Sequence, residues 1–170
     1  MTAIRVLAAT ATELPHARAL VFEYMAATQR EAGRTVPASV DQLPGSLQAE
    51  CSNLAAVYRP PGGLLLAFVD TEPIGCVGLR PTPSLGTIEV KRLYVRPAHR
   101  RGGAARLLMH HAHSHAAQQG FGRLVLDVMP SRTHVIDFYR RLGYSEAEPY
   151  RAEGPWPKVC LERPTDRWRR

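Results

Sequence analysis

The chain has 170 residues, of which 45% are hydrophobic and 22% are charged, as in ordinary globular proteins, so we expect one compact domain. No apolar run reaches the roughly 20 residues that span a bilayer, and no signal peptide is evident, so we expect no membrane partner. Three widely spaced cysteines argue against a disulfide framework and a structural zinc site, and they favour a cytoplasmic protein.

The formal net charge is +7, and nearly all of the positive charge is arginine, because Lys91 and Lys158 are the only lysines. A basic balance of this size indicates an anionic partner. A phosphate-bearing small molecule and a nucleic acid both satisfy that requirement, and composition does not choose between them.

The first half of the chain predicts a strand, a long helix, a loop and a weaker helix, over 3–8, 12–33, 34–46 and 47–57. The apolar runs GLLLAFVD and IGCVGLR follow, separated by a short acidic link that contains proline. Two such runs predict an antiparallel hairpin.

The second half predicts strand, helix, strand, helix and strand over 87–95, 102–119, 123–128, 132–142 and 158–163. The strand–helix–strand unit is a crossover, which requires neighbouring parallel strands. We therefore predict an α/β fold whose mixed sheet has about six to seven strands, with helices on both faces. The expected domain covers 1–165, and 166–170 form a basic tail.

The stretch HRRGGAARLL, residues 99–108, places two glycines and two alanines where a helix begins. A helix N-terminus carries unpaired N–H groups and partial positive charge, and a glycine-rich turn before it lets the backbone approach phosphate. Arg100 and Arg101 add charged donors. The pattern predicts a pyrophosphate site, although it matches neither GxxxxGK[ST] nor GxGxxG.

Residues 100–105 also match R/Q-x-x-G-x-G/A, with Arg100, Gly103 and Ala105 in the fixed places. This pattern resembles the acetyl-coenzyme A signature of the GNAT superfamily of N-acyltransferases. KRLYVRPAHR before it, DFYRRLGY after it and the predicted order of elements are similar to the same family. MPSRTHVIDFYRRLG also resembles a bacterial subgroup whose substrates are mostly unassigned.

The resemblance implies an acetyltransferase that uses acetyl-CoA as co-substrate and needs no metal. A primary amine attacks the thioester directly, through a tetrahedral intermediate. The acceptor implied by default is a small-molecule amine rather than a protein, and a homodimer is left open. Residues that the resemblance places at the coenzyme are Leu93, Tyr94, Val95, Arg100, Arg101, Gly102, Gly103, Ala104 and Ala105.

Tyr139 is similar to the family tyrosine that lies close to the coenzyme sulfur, and a phenol there can protonate the departing thiolate. A core aromatic beside Phe138 is the alternative. Glu89, on the strand before the loop, corresponds to a glutamate that often deprotonates the amine, and a raised pKa would suit that task. An ordinary polar strand residue is the alternative for Glu89.

The run HHAHSH contains His111 and His115, which are four residues apart and could bind one metal ion. No carboxylate or cysteine accompanies them at ligand spacing, so solvated or half-buried histidines are favoured. A helical wheel puts His113 on the face opposite the apolar stripe. His134 is a weaker candidate for the rim of the site. Arg132 replaces the asparagine often present there in the family, and we expect it to lie on a solvated face.

Two other functions stay open at this level. A non-catalytic acyl-CoA sensor would keep the same fold without chemistry. A nucleic-acid-binding module would explain the basic charge, but aromatic residues make up only 7% of the chain and no nucleic-acid motif is present.

Overall fold

The computed structural model describes residues 3–151 and 157–165. Its strands are β1 (Ile4–Ala8), β2 (Gly63–Val69), β3 (Glu72–Pro81), β4 (Thr87–Val95), β5 (Arg123–Val128), β6 (Ser145–Glu146) and β7 (Val159–Pro164). Its helices are α1 (Leu14–Glu31), α2 (Gly45–Ser52), α3 (Leu54–Val57), α4 (Ala104–Gln118) and α5 (Thr133–Arg141). The basic tail predicted for 166–170 lies outside the described residues.

The seven strands form one sheet in the order β1-β2-β3-β4-β5-β7-β6. Every neighbouring pair is antiparallel except β4 and β5, which are parallel because α4 returns the chain between them. The predicted mixed sheet and its crossover are therefore confirmed. The two-residue strand β6 was not predicted, because so short a segment carries no alternating pattern.

Helices cover both faces of the sheet, as predicted. Leu108, Met109 and Ala112 of α4 pack with the inward side chains of β5 in one apolar cluster. Leu20 and Met25 of α1 pack with α2 and α3 in a second cluster on the opposite face. The sheet is thus buried on both sides, and its two layers of helices form a single domain.

Three sequence predictions about helices need correction. The helix expected over 47–57 is broken at Asn53, whose φ and ψ of −133° and 46° are not helical, so α2 and α3 are separate. The helix expected from 102 begins at Ala104. His113 does not face outward, because it is only 1% exposed and packs beneath Tyr144.

No helix in the described part of the chain is long and apolar enough to cross a membrane.

Candidate active site

The site begins where β4 and β5 separate. The two parallel strands pair only from Thr87↔Arg123 to Glu89↔Val125, and no further pairs connect them among the described residues. A cavity of about 520 Å³ opens beyond that point, between the second halves of the two strands. Its remaining walls come from α1, α5 and the start of α4. A cleft of this size between diverging strands suits a small ligand.

A bulge in β4 shapes one wall of this cavity. Cys76 pairs with Tyr94 and Gly78 pairs with Lys91, so two residues of β4 oppose the single Val77. Arg92, in the bulge, has φ +57°, a left-handed conformation that is uncommon for a residue with a side chain. The extra residue turns the strand locally and re-aims its side chains, as β-bulges do beside functional sites.

The predicted phosphate cradle lies at the start of α4. Gly103 is the N-cap residue with φ +87°, and the first helical hydrogen bond runs from the Leu107 N–H to the Gly103 carbonyl. A Cβ added at Gly103 would meet no atom within 4 Å, and one at Gly102 would meet only the His99 carbonyl oxygen at 3.6 Å. The glycines therefore leave open space in front of the helix N-terminus, which fits an approaching phosphate.

Arg100 and Arg101 flank that open space, and both line the cavity. The Arg100 guanidinium is folded against β4, where Nε donates to the Val95 carbonyl at 2.9 Å and Cζ lies 5.9 Å from the Tyr94 ring centre. Arg101 has φ +67° and an exposed side chain. The structure thus brings Leu93, Tyr94, Val95, both arginines and Ala105 to one cavity, next to the glycines.

Tyr139 lines the same cavity from α5 while being only 5% exposed. Burial raises the pKa of its hydroxyl well above the ordinary value, and nearby Tyr24 adds to the rise. Its ring contacts Phe138 and Tyr144 edge-on, each with ring centres 5.3 Å apart. Tyr139 is therefore both a core aromatic and a protonated hydroxyl at the cavity wall.

Arg132 is not on a solvated face, contrary to the sequence expectation. It lies at the cavity wall at the start of α5, where Nη2 pairs with Glu31 of α1 at 2.7 Å. Although burial acts to lower it, the pKa of its guanidinium is raised by the nearby Tyr24 and Glu31. Its Nε is buried without a hydrogen-bond partner in the described part of the structure. Arg132 therefore connects α1 with α5 across the cleft.

Glu89 differs from the sequence expectation in its electrostatics. It is 2% exposed and stands behind the cavity wall, with Arg80 Nη2 2.7 Å from one carboxylate oxygen and the Tyr150 hydroxyl 2.7 Å from the other. Burial opposes ionisation, but Lys91 and these hydrogen bonds outweigh it and lower the pKa of the carboxyl. The expected raised pKa is therefore wrong, because it ignored cations that the fold brings from other elements.

Asp127 is a carboxylate that does line the cavity. It lies on β5, with Lys158 Nζ 2.9 Å from Oδ2, Lys91 Nζ 3.8 Å from Oδ1 and Arg151 in hydrogen-bond contact. These cations hold its pKa below the ordinary value despite burial. Asp127, Lys91 and Lys158 were not among the site residues predicted from the sequence. Both lysines stand next to apolar residues of predicted strands, and this position is the sequence signal that could have identified them as site residues.

The histidine run plays a structural part. His113 Nε2 lies 2.9 Å from the Tyr144 hydroxyl, and burial lowers its pKa to about 3, with Arg163 and His110 adding to the effect. His115 Nε2 lies 3.1 Å from the Pro61 carbonyl. Across residues 3–151 and 157–165, no three metal-binding side chains converge. His134 lines the cavity, in agreement with its predicted place at the rim.

Comparison with known proteins agrees with this geometry. Residues 25–144 match the acetyltransferase (GNAT) family. An uncharacterised N-acetyltransferase of Schizosaccharomyces pombe is 32% identical over 116 residues, which are 67% of this chain and 71% of that protein. An IAA acetyltransferase of Azospirillum brasilense is 28% identical over 130 residues, or 74% and 85% of the two chains.

Solved structures show the same fold at lower identity. A GNAT-family acetyltransferase from Staphylococcus aureus superposes with a TM-score of 0.74 at 15% identity, covering 96% of this chain and 99% of that one. The PaiA N-acetyltransferase of Thermoplasma acidophilum, solved in complex with coenzyme A, gives 0.71 at 16% identity, with coverages of 95% and 99%. Because the match to the acetyltransferase family covers residues 25–144, most of the chain, the chain belongs to the GNAT family of acetyltransferases.

Proposed function

We propose that this acetyltransferase moves an acetyl group from acetyl-CoA to the amine of a small molecule by direct attack. One observation carries the proposal: the bare, left-handed turn at Gly103 lies between Arg101 and Ala105, which line the same cavity as the buried Tyr139. The turn suits the phosphates of a coenzyme, and Tyr139 suits proton transfer at its thioester end. The bound coenzyme would supply the activated acetyl group.

Binding of the coenzyme is assigned to the start of α4 and the second half of β4. The N–H groups of the first turn of α4 have no helical partners and point toward the space in front of Gly103. Arg101 adds a guanidinium there. The edge of β4 that faces β5 has no paired strand along Leu93–Val95 among the described residues. The extended, amide-bearing arm of the coenzyme can therefore hydrogen-bond to this edge as a further strand would.

Tyr139 is proposed as the acid that protonates the leaving thiolate. Its raised pKa keeps the hydroxyl protonated at neutral pH, which is the form that an acid needs. The apolar side chains that pack around the Tyr139 ring also limit the access of water. The proton therefore passes directly from the hydroxyl to the thiolate. The hydroxyl is held in place by the packing of Phe138 and Tyr144 against the ring.

Glu89 is proposed to accept the proton of the attacking amine only through a neighbour. Lys91 lines the cavity, and its Nζ lies 3.2 Å from Glu89 Oε1. The Lys91 ammonium group gives one of its protons to Glu89 and takes up the proton of the amine in exchange. Lys91 therefore ends the step in its original charge state. This route takes the place of the deprotonation by Glu89, directly or through water, that the family resemblance implies.

The test is thiol release from acetyl-CoA across a panel of small primary amines, with the Tyr139→Phe variant beside the native protein. We expect turnover with at least one amine and strong loss of kcat in the variant. Coenzyme binding without turnover on any amine would favour a non-catalytic acyl-CoA sensor instead.

A further inference from the structure

A charged cluster lies where β4 and β5 begin to separate. Glu89 and Asp127 are its two carboxylates, and Arg80, Lys91, Arg151 and Lys158 are its four cations, each in an ion pair with one or both of them. Within the described residues the cluster therefore has two more positive than negative side chains. We call these six residues the Asp127 cluster.

The two lysines of the cluster are the only lysines of the chain, which otherwise uses arginine for its basic residues. Both line the cavity, and both contact Asp127. A lysine ammonium is a compact charge with three N–H donors. Since the Lys158 side chain is 32% exposed and pairs with Asp127 at 2.9 Å, it keeps donors for a ligand in the cavity.

Burial makes this excess of positive charge costly. The Lys91 side chain is 14% exposed, and burial lowers its pKa although Glu89 and Asp127 both oppose that change. Arg151 and Arg92 lower the same pKa further, by repulsion between like charges. A buried cation without sufficient compensation destabilises the folded state, and an anion entering the cavity would supply the missing charge.

The phosphates proposed for the coenzyme lie at the other end of β4. Lys91 precedes Val95 by four residues, which is at most about 13 Å of strand and less here because of the bulge at Arg92. Arg100, Gly102 and Gly103 follow beyond Val95. Lys91, Asp127 and Lys158 of the cluster therefore face the part of the cavity that the coenzyme phosphates leave open, where the acceptor amine has to reach the thioester.

We propose that the acceptor is an amine that also carries an anionic oxygen group, a carboxylate or a phosphate. Lys158 binds the anionic group, and Lys91 and Asp127 lie beside the amino group. This proposal rests on the proposed acetyl transfer and names the class of acceptor for that same site.

Three amines of similar length test it: β-alanine, β-alaninamide and 2-aminoethylphosphonate. Rates of thiol release are compared at equal concentrations of neutral amine. A charged hydrogen bond in a half-buried site predicts a kcat/KM about tenfold or more higher for one of the two anionic amines than for the amide. The faster of the two identifies carboxylate or phosphate. If β-alaninamide reacts as fast as β-alanine and 2-aminoethylphosphonate, the anionic acceptor is overturned, whereas the proposed acetyl transfer is still supported.

Variants at Lys158 test the residue assignment, because this half-exposed side chain can change without loss of the fold. Lys158→Gln should remove most of the preference through a higher KM for the anionic amine, and Lys158→Arg should keep it. Arg59→Gln, an exposed arginine outside the cavity, is the charge-matched control and should behave as the native protein does. A preference that survives in Lys158→Gln contradicts the assignment.

A binding measurement separates this proposal from catalysis. In the presence of coenzyme A, N-acetyl-β-alanine or N-acetyl-2-aminoethylphosphonate should raise the melting temperature of the native protein, and N-acetyl-β-alaninamide should not. If no amine is turned over, the acetyl-transfer proposal fails, and this shift still decides whether the cavity binds the anion. Equal shifts, or none, with all three compounds overturn the anionic site.

Discussion

Arg92 donates from Nε and Nη2 to the two carboxylate oxygens of Glu50, at 2.8 and 2.6 Å. The pair connects the bulge of β4 with α2, and the Tyr58 hydroxyl donates to the same carboxylate at 2.6 Å. Both charged side chains are largely buried, with exposures of 14% and 10%. The wall of the cavity at Arg92 is therefore held by an ion pair from a distant part of the chain.

Glu50→Gln should destabilise the protein by about 3 kcal/mol, because it leaves the buried Arg92 guanidinium without its counter-charge. Urea unfolding measures the change. Glu162→Gln is the control: Glu162 accepts a single hydrogen bond from Arg123 at 2.7 Å, and the side chains of Arg123 and Glu162 are 45% and 32% exposed. Such a pair contributes about 1 kcal/mol or less. Equal losses in the two variants would contradict the structural role of Glu50.

Gly103→Ala should weaken binding of acetyl-CoA at least about tenfold, because a Cβ would stand in the space assigned to phosphate and the backbone has φ +87°. Gly120→Ala is the control, since Gly120 has φ +81° and equally open surroundings at the far end of α4. Both variants carry similar backbone strain. Calorimetric titration should show loss of affinity in the first and native affinity in the second.

Tyr139→Phe should lower kcat about 10²-fold or more, the usual contribution of a positioned acid, while the affinity for acetyl-CoA stays near the native value. Tyr144→Phe is the comparison, because Tyr144 is equally buried but its hydroxyl contacts His113 rather than the cavity. Its kcat should stay close to native. A Tyr139→Phe enzyme with full kcat would remove the proposed acid role.

His113 should make the protein less stable as the pH falls. Its pKa of about 3 in the folded state lies below the ordinary 6.5, so between these values the unfolded chain binds more protons than the folded one. The unfolding free energy should thus fall by up to about 1.4 kcal/mol per pH unit below pH 6.5 from this group alone. Urea unfolding at pH 7, 6 and 5 should show a smaller fall in His113→Gln. Parallel curves would contradict the prediction.

The sequence predicted the parts of this protein that depend on local pattern. Alternation and helical spacing placed most elements, and the crossover from β4 to β5 followed from their order. The glycines at 102–103 indicated a phosphate site because bare backbone at a helix start has a clear chemical purpose. Tyr139 was found through its resemblance to a family segment, since spacing alone favoured a core aromatic.

The electrostatics of the site depended on contacts between distant segments, and these the sequence did not reveal. Glu89 was expected to have a raised pKa, but Arg80, Lys91 and Tyr150 converge on it only in the fold. Arg132 was expected in solvent because its partner Glu31 belongs to a helix far away in the chain. A polar residue on a strand or a helix end does not show which other element will cover it.

Hydrogen–deuterium exchange with and without acetyl-CoA tests the central claim most directly, since it reports which backbone N–H groups the coenzyme covers. We expect acetyl-CoA to slow exchange at residues 102–106, at the start of α4, and along Leu93–Val95 of β4. The N-terminal half of β7 and the hairpin between β2 and β3 should be unaffected. Protection that is absent from both predicted segments while acetyl-CoA is bound would contradict the placement of the coenzyme at α4 and β4.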